Sequence, residues 1–118
     1  MYHRMGQRKL GRTSSHRLAL LRNQASSLLT HGSIVTTVPK CKELRRFVEP
    51  LITLAKQDNL AHRRRAGRHI QDWGLVNHLF TEIGPRFLTR PGGYTRIIRL
   101  PERTRDAAPI ARIELLED

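Results

Sequence analysis

The chain has 118 residues and carries 22 Lys and Arg against 10 Asp and Glu, a formal net charge of +12. Its 38% hydrophobic content suits one compact domain with a modest core, while the charge points to a polyanionic partner, nucleic acid before an acidic membrane. No apolar run approaches the roughly 20 residues of a bilayer span, and no amphipathic segment sets a basic face against large apolar residues.

The polar start, Met1 to Gly6, lacks the apolar segment of a signal peptide. The one cysteine, Cys41, cannot pair within the chain, so a soluble protein of a reducing interior is expected. Charge is unevenly placed: residues 1–69 hold 15 basic and 3 acidic side chains, whereas residues 70–118 hold 7 of each. The polyanion-binding surface is therefore expected in the first part, and the second part reads as built for packing.

Residues 1–12 contain Arg4, Arg8, Lys9 and Arg12, two glycines and little to bury. Such a segment cannot offset its ordering entropy and is expected to be a flexible arm ahead of a single α+β domain, residues 13–118. Ser14 or Ser15 can cap a first helix running to about Thr30, with Leu18, Leu21, Ala25 and Leu28 as its apolar stripe and Leu20 off it. Gly32 suits the left-handed residue that closes a helix.

Residues 33–38 are β-branched in five of six positions and predict a short strand. Thr37 is placed to cap a second helix with Pro39 in its first turn. That helix is predicted to reach about Gln57, burying Leu44, Phe47, Val48, Leu51 and Ala55, with Pro50 on the far side bending it around the core. Asp58-Asn59 reads as a turn and cap for a short basic helix, residues 60–69, in which Arg64, Arg65 and Arg68 share a face and Arg63 points elsewhere.

Asp72 can cap a further helix with Trp73, Val76, Leu79, Phe80 and Ile83 as its buried stripe, ended by Gly84-Pro85. After a loop, residues 94–100 and 110–116 predict two strands joined by a longish hairpin loop. The order implies an α+β fold: a small sheet, made of one strand after the first helix and a C-terminal hairpin, covered by about four helices.

Six histidines invite a metal reading, but no pair has zinc-site spacing and Cys41 stands alone. A small basic ribonuclease could be drawn from His62 or His69 beside Arg64 and Arg65, yet no carboxylate is placed to orient the imidazole. Gly92-Gly93 has no following Lys-Ser/Thr and opens no helix, so it is a turn instead of a phosphate loop. The basic residues instead form three clusters: the arm, the second helix (Lys40, Lys42, Arg45, Arg46) and the short basic helix. Of the 22 basic residues only Lys9, Lys40, Lys42 and Lys56 are lysine, which favours forked contacts to phosphate oxygens. Aromatic residues are few, and Phe47, Phe80 and Trp73 read as core. Folded, double-helical RNA recognised through its backbone therefore fits better than stacked single strands. An architectural DNA-binding protein is the alternative of another class.

Several runs resemble a known family. They are Thr13-Ser14-Ser15-His16-Arg17, Arg22-Asn23, residues 36–40, residues 42–46, residues 51–56, residues 79–87 and Gly92-Gly93-Tyr94-Thr95-Arg96-Ile97. In order and without large gaps, they are similar to the bacterial large-subunit ribosomal protein family numbered seventeen. Departures from its usual pattern fall at Met5, Gly11, Cys41 and Arg105.

The resemblance implies an α+β fold with a basic N-terminal extension, bound to large-subunit (23S-type) ribosomal RNA. It also implies a place on the solvent side near the peptide exit region, beside other ribosomal proteins in the cytoplasm. It implies no enzyme activity, cofactor, membrane or small-molecule substrate. RNA-facing positions would be Arg4, Arg8, Lys9, Arg12, Ser14, Ser15, His16, Arg17, Arg22, Lys40, Lys42, Arg45, Arg46, Arg63, Arg64, Tyr94, Thr95 and Arg96. The helical spacing read above adds Arg65 and Arg68.

Deleting residues 1–12 should leave the melting temperature unchanged and weaken RNA binding. The log–log salt slope should fall by about 0.7–0.9 for each phosphate no longer neutralised. A lower melting temperature in the truncated chain would place the segment within the folded domain.

Overall fold

In the computed structural model, residues 14–101 and 109–117 are described. The expected arm, residues 1–12, and most of the loop between the last two strands lie outside the described residues. Among the described residues the order is α1 (Ser14–His31), β1 (Ser33–Thr37), α2 (Val38–Ala55), α3 (Leu60–Gly67), α4 (Trp73–His78), β2 (Thr95–Leu100) and β3 (Ile110–Leu115). The sheet is antiparallel with β3 central, in the order β1-β3-β2. The α+β class and the element order match the sequence reading.

Strand alternation sorts the sheet's faces. Ala111, Ile113 and Leu115 of β3 turn toward the helices, and Ile34 and Ile97 lie opposite Ile113 on either side. Val35, Ile98 and Arg112 form a row on the other face. Gly32 adopts φ +85° and its N–H donates to the Leu28 carbonyl at 2.8 Å, closing α1 as a left-handed cap. The Gly32 carbonyl then accepts from Leu115 N at 2.9 Å, tying the helix end to the sheet.

α2 lies across the inner face of the sheet, and α1, α3 and residues 79–86 pack on it. Leu44, Val48, Leu51 and Ala55 are buried as expected, joined by Val38, Cys41 and Ile52. The Cys41 thiol lies 3.6 Å from the Ala111 carbonyl, and burial pushes its pKa up. Phe47 is only partly buried, edge-on to His69. The helix runs through the exposed Pro50 and stops at Ala55, slightly short of the expected end. Thr37 holds the capping position, although its side chain makes no cap hydrogen bond, and Pro39 sits in the first turn.

Three helix assignments need correction. Leu18 is 40% exposed at the start of α1, where Ser15, His16 and Ala19 are exposed as well, and Leu29 completes the buried stripe instead. Ser14 and Ser15 fall inside the first turn of α1, not ahead of it. Trp73 is 61% exposed: it opens α4 at a sharp corner and lays its ring against Gly67, while Ile70 and Leu75 enter the core.

Gly84-Pro85 does not end the last helix. The chain passes from α4 into a π-helical segment, Leu79–Ile83, and one further turn, Gly84–Arg86. Gly84 N–H donates to the Leu79 carbonyl across the wider turn, which accommodates Pro85, a residue with no N–H to give. The extra width keeps Leu79, Phe80 and Ile83 on the buried side and brings Gly84 against α2.

A methyl group on Gly84 would lie 2.2 Å from the Ala55 carbonyl oxygen, so the two backbones meet where no side chain fits. Gly84→Ala should therefore cost about 1–3 kcal/mol or more by forcing them apart. Phe80→Ala or Leu44→Ala should cost about 2–5 kcal/mol through the cavity left behind. Denaturant midpoints of the three variants check both statements, and near-neutral values would contradict the packing described.

Candidate nucleic-acid interface

The basic helix α3 is held in place by one of its own arginines. Asn59 caps it, its side chain accepting from His62 N at 2.8 Å. Arg63 then forks onto the Asp58 carboxylate at 2.6 and 2.8 Å, donates to Asn77 Oδ1 at 3.0 Å and lies 5.3 Å over the Phe80 ring. That hydrogen-bonded pair holds the Asp58 carboxyl below its usual range and raises the Arg63 guanidinium. On the inner side Ala66 is fully buried, which turns Arg64, Arg65 and Arg68 outward, all exposed. The sequence reading set Arg63 apart from the other three yet also counted it as RNA-facing; its guanidinium is engaged within the protein, joining α3 to α4.

The cluster on α2 is partly engaged within the protein. Arg45 donates through Nε to Thr95 Oγ1 at 3.1 Å and through a terminal nitrogen to the Thr95 carbonyl at 2.8 Å. Thr95 in turn gives its N–H and hydroxyl to Glu49 at 3.2 and 2.9 Å. Arg46 lies 3.8 Å from the buried Glu43, Lys40 is half-buried and Lys42 is exposed. Arg96 pairs with Glu114 across β2 and β3, its Nε at 2.9 Å. Arg45, Arg46 and Arg96 keep charge at the surface while part of each guanidinium pairs within the protein.

Tyr94 departs furthest from its expected place. It is 1% exposed, packed on Phe87, with its hydroxyl 2.8 Å from Thr53 Oγ1 and accepting from Lys56 Nζ at 3.1 Å. Lys56 also donates to the Arg90 carbonyl and lies 5.2 Å from the Tyr94 ring. Thr95 is likewise buried. The side chains of Tyr94 and Thr95 are therefore enclosed within the protein, leaving Arg96 as the exposed member of that trio.

On α1, Ser15 and His16 are exposed, Arg17 is half-buried, and the Ser14 side chain lies outside the described residues, as do Arg4, Arg8, Lys9 and Arg12. Arg22 is half-buried beside His69, and its Nε and the His69 Nδ1 are buried without a hydrogen-bond partner. Burial, with Arg22 and Arg68 nearby, pulls the His69 pKa down. His62 has its Nδ1 within 2.8 Å of the Gln57 carbonyl and 3.1 Å of the Leu54 carbonyl, fastening the α2–α3 turn. That ring nitrogen serves the turn and not a phosphate. Among the described residues no group of three or more His, Cys, Asp and Glu is placed to hold a metal ion, and no helix is long and apolar enough to cross a membrane.

A three-stranded sheet crossed by α2, with arginines distributed between internal clamps and an exposed helical face, defines a small basic α+β protein. Residues 20–116 match the family described as ribosomal protein L17. The chain belongs to that family, whose members are structural, non-enzymatic proteins of the large ribosomal subunit.

The two arginine roles on α3 separate experimentally. Replacing Arg64, Arg65 and Arg68 together with alanine should leave the melting temperature nearly unchanged and reduce the salt slope of RNA binding by about 0.7–0.9 for each phosphate these side chains engage. Arg63→Ala should lower the melting temperature with little change in that slope. The reverse pattern would contradict this division.

Proposed function

We propose that this chain binds folded large-subunit ribosomal RNA through arginine-rich surfaces and thereby supports subunit assembly and translation in the cytoplasm. The observation that carries this reading is the exposed face of Arg64, Arg65 and Arg68 on a helix fixed from behind by Arg63 and Ala66. Three guanidinium groups on one rigid turn suit phosphates spaced along a backbone, because each can fork onto two oxygens. Family membership supplies the RNA, since the large subunit is where such a protein resides.

The surfaces of α1 and α2 extend the footprint through His16, Arg17, Arg22, Lys40, Lys42, Arg45 and Arg46, and Arg96 adds a point on the sheet. Residues 1–12 form a basic RNA-binding arm in this reading, ahead of one domain spanning residues 13–118. Arm and domain bind together: phosphates remove the repulsion among Arg4, Arg8, Lys9 and Arg12, while released counterions drive association. Neighbouring ribosomal proteins complete the surroundings. No bond is made or broken, and the contribution is to fix RNA segments relative to one another.

Co-sedimentation tests this directly. The full chain should travel with the large subunit through a high-salt wash, and in isolation it should prefer large-subunit RNA fragments to duplex DNA of equal length. Release from the subunit together with equal affinity for DNA would favour an architectural DNA-binding protein instead.

A further inference from the structure

We infer that the cleft between α1 and the corner joining α3 to α4 is a pocket for one unpaired ribonucleotide. In this arrangement Arg22 and His69 meet its phosphate, and the surrounding polar side chains meet its base. The inference rests on the RNA-binding reading above and adds to it a site for an extruded base, which contacts to the backbone alone would not need.

The cleft measures about 340 Å³ and is walled by Arg22, Asn23 and Ser26 from α1 and by His69, Gln71 and Asp72 from the α3–α4 connection. That volume lies at the small end of ligand sites, which run about 300–1,000 Å³. Two of its wall atoms, Arg22 Nε and His69 Nδ1, are buried without a partner. Native proteins rarely leave such groups unsatisfied, and each unmatched one is a standing cost that a ligand can remove. The guanidinium cannot shed its charge, so Arg22 calls for an acceptor, and an anionic one serves it best.

Arg22 and Arg68, together with burial, disfavour protonation of His69, while Asp72 shares the wall of the cleft with it. A neutral imidazole offers one donor and one acceptor, which suits a ligand with both kinds of group. Asp72 points to the same ligand. Its Oδ1 already accepts from Gly74 N at 2.9 Å, capping α4. A carboxylate there opposes a second phosphate but accepts from the exocyclic amine of a base. Phosphate near Arg22 and base edge toward Asn23, Ser26, Gln71 and Asp72 therefore satisfies both signs of charge. A base inside a duplex cannot reach a cleft of this kind, so the nucleotide must come from a bulge or loop.

Five labelled RNA hairpins of one length and salt condition test the inference with the full chain: one fully paired, and four carrying a single bulged A, C, G or U. At least one bulged hairpin should bind about tenfold tighter than the paired one, a difference of about 1.4 kcal/mol. Arg22→Gln should reduce that preference to near unity while both hairpins still bind. Asn23→Ala, a change at an exposed position, should weaken the preference with the melting temperature unchanged, which guards against misfolding of the first variant. Equal binding of all five hairpins, or a preference that survives both substitutions, would overturn the pocket while leaving the RNA-binding reading intact. Failure of every hairpin to bind would overturn both.

Discussion

The three strands, α1, α3 and residues 79–86 all pack against α2. The helix presents one apolar face to the sheet through Cys41, Leu44 and Val48, and its far end meets Gly84 at Ala55 with no side chain between the backbones. That close approach constrains the rest. It requires glycine at position 84, where an added methyl would meet the Ala55 carbonyl oxygen, and the π-helical turn delivers Gly84 to α2. α3, joined to α4 by Arg63 and to α2 by the Asp58-Asn59 turn and His62, then has one orientation available to its basic face. The position of the exposed arginines is thus a consequence of apolar packing elsewhere.

The same logic explains how a chain of net charge +12 folds at all. Part of its positive charge is offset locally: Arg45 through Thr95 and Glu49, Arg46 beside Glu43, Arg63 on Asp58, Arg96 on Glu114. Such pairs at a surface contribute little individually, roughly 0–1 kcal/mol each. Their role here is geometric, since they fasten α2 to β2, α3 to its preceding turn and β2 to β3. The exposed groups on α3 are those proposed to meet phosphate oxygens, whose negative charge would relieve the repulsion that remains.

Local signals in the sequence were legible where local chemistry decides the outcome. The cap at Asn59, the cap at Asp72 and the left-handed Gly32 each follow from residues within one turn. So do the β-branched run of β1 and the inner stripe of α2. The recognition of the family also came through, from short runs spread over the whole chain, and the match over residues 20–116 agrees with it.

The rest depends on distant partners. Tyr94 reads as the first residue of a strand and, by the resemblance, as RNA-facing, but its hydroxyl finds Thr53 on α2 and Lys56 just past its end, far away in sequence. Trp73 has the right helical phase for a core position, yet it opens its helix at a corner where Ile70 already fills the interior. Gly84-Pro85 has the composition of a helix end, and only contact with Ala55 reveals it as a packing device. The Arg22–His69 cleft joins residues from α1 and the α3–α4 connection, so no spacing could have shown it. The central claim is that α3 meets ribosomal RNA with the face opposite Ala66. A structure of the assembled large subunit tests it most directly: guanidinium nitrogens of Arg64, Arg65 or Arg68 should lie within about 3 Å of phosphate oxygens, and that face of α3 turned to solvent or packed on another protein would contradict the account.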